Sequence, residues 1–398
     1  MKIHINDHAG HPFQVELSRN LAMRGHTVLH TFTRDLQTPR GALQPRENDP
    51  ATFSVESLNL SSPFSRYGLV RRFLQERELG RCLKDKVRTF NPDIVISANT
   101  PLGAQAMLLA ACGAAGAGFV FWLQDMLGAG IRNNLNKKIP ALGNLIGSHY
   151  VCLEQRLLKQ SNAVVAITED FVPVCKQAGV NERKIHVIHN WAPLNEVPVL
   201  EKDNAWSRSH GLEKSFNFIY SGTLGMKHNP ELIVALAREV AGFENVRVVV
   251  VSEGLGAEYL ARKKQAEKLE RLVLLPFQPF DQVPMVQAAA DVLVAILEPD
   301  AGVFAVPSKV LTYMCAGRPL LLAVPLENLA ARIVKSMGAG VVVAPADIKG
   351  FISGAEALLQ NREMRSAMAI NCREYAETHF DINKITGRFE KILSGIQL

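Results

Sequence analysis

The sequence holds no Cys-x-x-Cys pair and no histidine cluster beside a cysteine. Its six cysteines, Cys82, Cys112, Cys152, Cys175, Cys315 and Cys372, are scattered. That spacing excludes a disulfide framework and a zinc site, and suits reduced thiols in a cytoplasmic protein. Gly-x-Gly-x-x-Gly is missing, so there is no dinucleotide fingerprint. Tandem repeats, low-complexity tracts and an Asp-x-Asp-like metal pair are also missing. Met1-Lys2-Ile3-His4-Ile5-Asn6 reads as a strand already under way, not as the charged head of a signal peptide. Residues 94–124 carry no charge, long enough on paper for a membrane span. They contain Pro101 and a glycine-alanine run at 113–118, however, and a helix near 103–112 followed by a buried strand at 119–123 explains them better.

What is present is an ordinary globular composition, 47% apolar and 21% charged, over a length that calls for two cores. The formal charge is +6. Basic residues gather at Arg71, Arg72, Arg77, Arg81, Lys84, Lys86 and Arg88, and again at Arg132, Lys137 and Lys138. Such a field suits phosphate groups on a nucleotide, a lipid diphosphate or an anionic membrane. No aromatic-interleaved basic motif supports nucleic acid, which is not expected as a partner.

Short apolar runs alternate with helical stretches. Strands are expected at 2–6, 28–32, 94–98, 119–123, 163–168 and 184–188, with helices such as 12–24 and 169–177 between them. Pro193, Pro198 and a charged stretch reaching Lys214 read as a linker, on which the halves would close. The alternation resumes with strands at 217–220, 247–251, 272–275, 292–296, 320–322 and 340–343, then a long helical stretch broken near 379–381. This is an α/β chain of two Rossmann-like, doubly wound domains facing a cleft. The expected division is 1–190, a linker at 191–214, 215–375, and a C-terminal helix at 376–398 returning to the first domain. In such folds ligands sit at the carboxyl ends of the strands.

Three segments there could carry chemistry. Asp7-His8-Ala9-Gly10-His11-Pro12 follows the first strand and opens a helix. Its glycine permits close backbone approach, and the helix start favours an anion; a plain turn remains the alternative. Tyr220-Ser221-Gly222-Thr223-Leu224-Gly225-Met226-Lys227 repeats the pattern in the second half, with Lys227 as a point charge for a diphosphate. In the third, Pro307-Ser308-Lys309-Val310-Leu311-Thr312, Ser308 suits an N-cap, and Gly317 and Pro319 stop the helix. Its start would hold phosphate through free N–H groups. Asp125 ends a strand, where it either holds an acceptor hydroxyl and takes its proton or serves as a cap; His11 has the same standing. Phe277 and Gln278 end another strand and are expected against the nucleotide base.

These residues together resemble glycosyltransferase family 4, the retaining enzymes of the GT-B fold. The likeness rests on the 221–227 turn, on Pro307-Ser308-Lys309 through Gly317-Arg318-Pro319, on Ile167-Thr168-Glu169, on 184–191 and on Arg24-Gly25-His26-Thr27-Val28. Within the family it is most similar to the colanic-acid and O-antigen sugar transferases, L-fucosamine transferases among them. The resemblance implies that Gly10 belongs to the loop beside the donor diphosphate and the acceptor, and that Lys227 grips the diphosphate. It also implies a UDP- or GDP-linked sugar donor with no metal or other cofactor, and a lipid-linked saccharide as acceptor. The expected setting is cytoplasmic, peripheral on the inner face of the plasma membrane. The chain departs from the pattern at Thr223, where the family carries arginine, and at Phe304 and Thr312, where two glutamates are usual. Two rivals stand beside this reading: a nucleotide-sugar epimerase or hydrolase of the same fold, and a non-catalytic binding subunit, which the two missing glutamates suggest.

Overall fold

The computed structural model describes residues 1–34, 36, 40–62, 69–299, 302 and 307–396, leaving aside the side chains of Leu69, Val70, Lys138, Pro140 and Lys227. The chain divides into two compact units, Met1–Asn190 with Ile382–Leu398, and Trp191–Asp381.

The first unit is a seven-stranded parallel sheet in the order β3-β2-β1-β4-β5-β6-β7. Its strands are β1 (Lys2–Asp7), β2 (Thr27–Thr33), β3 (Phe53–Leu58), β4 (Ile94–Ala98), β5 (Gly118–Leu123), β6 (Ala163–Ala166) and β7 (Ile185–Val187). The helices are α1 (Pro12–Met23), α2 (Leu69–Phe90), α3 (Leu102–Ala115), α4 (Leu127–Lys138), α5 (Pro140–Gln160), α6 (Val172–Gln177) and, from the end of the chain, α15 (Ile382–Ser394). Every residue of β4, β5 and β6 is buried, as helices on both faces of a parallel sheet require. Strand β3 was not expected from the sequence. Phe-Ser-Val-Glu-Ser-Leu lies at the sheet edge, half-buried and alternating, so it lacks the apolar run that marks the inner strands.

Helices α4 and α5 form a close hairpin. A Cβ on Gly143 would lie 2.5 Å from the Leu135 carbonyl oxygen, on Gly147 2.6 Å from the Arg132 Cα, and on Gly128 2.9 Å from the Val151 Cα. Gly147→Val is therefore expected to force the helices apart at a cost of roughly 1–3 kcal/mol, read as a fall in the denaturation midpoint. An unchanged midpoint would mean that the hairpin relaxes freely.

The second unit is a six-stranded parallel sheet in the order β10-β9-β8-β11-β12-β13. It comprises β8 (Phe216–Ser221), β9 (Val246–Val251), β10 (Leu272–Leu275), β11 (Val292–Ile296), β12 (Leu320–Ala323) and β13 (Gly340–Val343). Around it lie α7 (Ala205–Ser209), α8 (Glu231–Glu239), α9 (Leu255–Glu267), α10 (Val283–Ala288), α11 (Ser308–Cys315), α12 (Leu329–Ser336), α13 (Ile348–Gln360) and α14 (Arg362–His379). The stretch 191–214, read from its prolines and charges as a linker, packs into this unit. Trp191, Trp206 and Leu212 are buried in it, and Asn204 with Ser207 forms a reciprocal capping box on α7.

Helix α15 completes the first unit. Glu390 pairs with Arg24 at 2.6 Å and with His26 at 3.1 Å, and Phe389 meets the Trp122 ring edge-on at 4.9 Å.

Candidate functional site

Each sheet reverses its strand order once, at β1/β4 and at β8/β11, and the loops at the carboxyl ends there are where a ligand can enter.

In the first unit, the β1 end is organised by Asp7. Its carboxylate accepts from the backbone N–H of Ala9 at 3.1 Å and of His11, and its carbonyl accepts from Gly10 N–H at 3.2 Å. Turned to suit its neighbours, the Gln14 amide donates to the same carboxylate at 2.7 Å. Burial nevertheless raises the Asp7 pKa to about 7. Gly10 has φ +76, and a Cβ there would lie 2.7 Å from Leu43 Cδ1, so a side chain at this turn would be strained and would displace Leu43. His11 leaves its ring half-buried, stacked on Phe13 at 5.6 Å. Beneath the loop a buried polar chain links His4, Thr31, Asn6, Thr100 and Ser97 through contacts of 2.7–2.9 Å.

Asp125 follows β5 with its side chain exposed. It caps nothing: Met126 occupies the N-cap of α4 without a side-chain bond. The carboxyl makes no hydrogen bond among the described residues, and although water reaches it, the surrounding protein desolvates it and raises its pKa to about 7. The carboxylate that meets the start of α4 is Glu154, buried, with Oε2 accepting from Gly128 N–H at 3.2 Å. Burial, with a smaller part from the Asp125 charge, lifts its pKa to about 7 as well. Asp7 enters from the sequence only as the first residue of its loop, and Glu154 not at all; nothing in the spacing of a strand end or a helix face marks a buried acid.

In the second unit, β8 runs directly into the glycine turn. Ser221 is pinned by Tyr313, which accepts from Ser221 N–H and donates to its carbonyl, both at 2.9 Å. Gly222 has φ +128, closed to other residues in practice, and a Cβ there would sit 3.2 Å from Lys309 Nζ. Lys309 reaches across from α11 to donate to Tyr220 Oη at 2.6 Å, and Tyr220 Oη donates in turn to the Thr223 carbonyl at 2.7 Å. The residue keeps partial contact with solvent, yet its ammonium is pressed onto this turn, and desolvation lowers its pKa to about 7. Gly222, Thr223 and Lys309 are thus brought together, and Tyr220, at the head of the same turn, is the pivot.

Ser308 departs from expectation. Pro307 takes the N-cap of α11 with φ −70 and supplies no side-chain bond, while Ser308 is the first helical residue and exposed. Among the described residues no side chain caps the start of α11; Val310 N–H turns back to the Pro307 carbonyl at 3.1 Å, and the Ser308 and Lys309 N–H groups before it are the ones open to an anion. Thr312 is one turn further in. Its hydroxyl donates to the Lys309 carbonyl at 2.9 Å and accepts from Gln287 at 3.1 Å. The Gln278 amide is committed to Trp206 Nε1 at 3.0 Å. Phe277 is exposed, and its N–H donates to Glu253 at 3.1 Å. The Lys227 side chain and Phe304 lie outside the described residues. Among the described residues no three His, Cys, Asp or Glu side chains gather as a metal site, and no helix is long and apolar enough to cross a membrane.

Two doubly wound parallel sheets, each with a glycine turn at its switch point, define the GT-B class of α/β enzymes. Residues 11–191 match the glycosyl transferase 4-like domain, and residues 202–375 match the glycosyl transferases group 1. The chain belongs to this family and is a glycosyltransferase. It is 21% identical over 318 residues to the colanic acid biosynthesis glycosyl transferase WcaI of Escherichia coli K12, covering 77% of this chain and 75% of WcaI. The fold is shared with Anabaena HepE, crystallised with UDP and glucose, at a TM-score of 0.72, 18% identity and 99% coverage of both chains. It is shared also with sucrose-phosphate synthase from Thermosynechococcus elongatus, at a TM-score of 0.73, 11% identity and 98% coverage of both.

Proposed function

We propose that the enzyme moves a hexose or amino-deoxyhexose from a UDP- or GDP-sugar to a lipid-linked saccharide, with retention at the anomeric carbon, in the building of a surface polysaccharide. The observation that carries this reading is the Lys309 ammonium lodged on the Gly222 turn beside the uncapped start of α11. A diphosphate leaving group gathers negative charge as the glycosidic bond breaks, and fixed donors at that point lower the barrier. Lys309 and the α11 N–H groups are such donors; Lys227, two residues past Gly225, is assigned to the same phosphates. Gly10 is assigned to the loop beside the donor diphosphate and the acceptor, and His11 and Asp125 to the acceptor, Asp125 as the group that holds the attacking hydroxyl and takes its proton. The UDP and glucose bound by HepE and the colanic acid pathway of WcaI support the donor and the pathway in this reading. Released UDP or GDP on mixing donor with acceptor, and an unchanged anomeric configuration by NMR, are the expected results. Free sugar formed without acceptor would instead make the enzyme a hydrolase.

The lipid-linked acceptor carries a second expectation. At the corner of α4 and α5, Ile139, Leu142 and Leu145 are 47%, 52% and 70% exposed, near Arg132 and Lys137. Phe73 and Leu74 are exposed in the same unit, on α2 beside Arg71, Arg72 and Arg77. Apolar insertion and about 1 kcal/mol per basic residue act together at an anionic surface. Sedimentation with anionic but not neutral liposomes, reversed by salt and weakened in Leu142→Ser/Leu145→Ser, is expected. Equal indifference to both liposomes would remove the membrane from the proposal.

A further inference from the structure

The second unit has a recess of about 270 Å³ lined by Lys202, Asp291, Arg318, Arg362, Arg365 and Ser366. It lies at the amino ends of β11 and β12, just before Val292 and Leu320. The Gly222 turn is at the carboxyl end of the same sheet, so a strand of six residues, roughly 20 Å, separates the two sites.

The charges in this recess do not balance. Asp291 is already spent: it pairs with Lys202 at 2.5 Å and accepts from Asn217 N–H at 2.8 Å. Arg318 donates only to carbonyls, to Leu200 at 2.8 Å and Ala288 at 2.9 Å. Arg365 likewise donates to the carbonyls of Leu358 and Leu359, and its guanidinium lies 4.9 Å from the Phe216 ring centroid. Arg362 is exposed and makes no hydrogen bond or ion pair among the described residues. Three guanidinium groups thus converge without one paired carboxylate, and with Lys202 they outnumber the two acids of the lining, Lys202-bound Asp291 and the exposed Glu201. Burial lowers the pKa of Arg318 and Arg365; the Asp291 charge offsets part of this at both and Glu201 part of it at Arg318, while Arg362 adds to it at Arg365. Clustered cations held this way are costly unless an anion joins them.

We propose that this recess binds a phosphate group, as free phosphate or on a small phosphorylated metabolite, at a site separate from the donor diphosphate. Guanidinium forks match the oxygens of a phosphate in pairs, and the Ser366 hydroxyl adds a donor. The first turn of α14 also opens here, with Asn361 satisfying only the Met364 N–H. The volume is below that of a pocket for a drug-sized ligand, which favours a small anion over a whole nucleotide.

The test is calorimetric titration of the full chain with inorganic phosphate at constant ionic strength, in a Lys309→Ala background that disables the donor site. Phosphate is expected to bind there with one-to-one stoichiometry. Arg362→Glu, at an exposed position with no partner to lose, is expected to weaken it by about tenfold or more, since a charge-assisted contact becomes a repulsion. Arg362→Lys is expected to retain part of the affinity. An identical isotherm in the Arg362→Glu protein, or equal heat from chloride at matched ionic strength, would overturn the site. Arg362-dependent binding to phosphatidylglycerol vesicles without any phosphate isotherm would overturn the small anion in favour of a headgroup. None of these readings depends on whether UDP binds at Lys309.

Discussion

Lys309→Ala is expected to lower turnover by roughly 10²-fold or more and to weaken UDP or GDP binding by about tenfold or more. The side chain stands where a diphosphate would rest on Gly222, and no other described cation contacts that turn. Its protonation gives the prediction a second handle. The free enzyme holds Lys309 near a pKa of about 7, and a bound diphosphate raises that value, so binding takes up a proton. Donor affinity should therefore be full below about pH 7 and decline above it, by up to tenfold per unit, until the bound-state pKa is reached. The alanine variant loses that limb. Stability should not suffer in parallel. The unfolded chain binds this proton more tightly than the fold does, so between about 7 and the ordinary lysine value of 10.5 stability rises with pH, and the charge is a burden on the native state. Calorimetric UDP affinity that stays flat from pH 6 to pH 9 in the parent enzyme would take Lys309 out of the site.

The other large effect is expected at Asp125. Asp125→Asn should reduce kcat by about 10²–10³-fold with little change in donor KM, because the proposed role of the group is on the acceptor hydroxyl and not on the nucleotide. Its pKa of about 7 places the carboxylate form above neutrality, so kcat of the parent should fall as pH drops through that value while the asparagine variant stays flat. The stability change has the opposite sign. A carboxyl whose folded pKa is raised binds its proton more tightly in the native state, so its contribution declines as pH rises from 3.8 through about 7. The asparagine protein should melt no lower than the parent at pH 8, and slightly higher if anything. A variant that keeps full kcat would leave Asp125 an ordinary loop carboxylate.

How much of this was legible beforehand depends on what a residue has to show for its surroundings. Strands β5, β6, β11 and β12 announce themselves because parallel strands are buried on both faces and read as unbroken apolar runs. Edge strand β3, with Ser54 and Glu56 exposed, carries no such run. The 191–214 stretch looks like a linker because prolines and charges are counted along the chain, whereas the burial of Trp206 and the Asn204 cap are settled in three dimensions. At the site, Gly222 and Lys309 stand out by residue type and position. Their joining through Tyr220 does not, since a strand tyrosine is more often plain core. Ser308 misleads for a local reason: serine favours the N-cap, but Pro307 already holds the φ that position tolerates.

Because α15 belongs to the first unit, that unit is discontinuous in the chain, with all of the second unit lying between its two parts. A ribosome would finish the first sheet and then make nearly two hundred further residues before Phe389 could reach Trp122. Until then the partly made product shows chaperones an uncovered aromatic surface, and the second unit, continuous from Trp191 to Asp381, is free to fold ahead of it. A premature stop in the final helix would thus leave the loops of the second unit intact and the first unit open. Messages truncated near their end should yield chains that proteases clear from the Met1 side first.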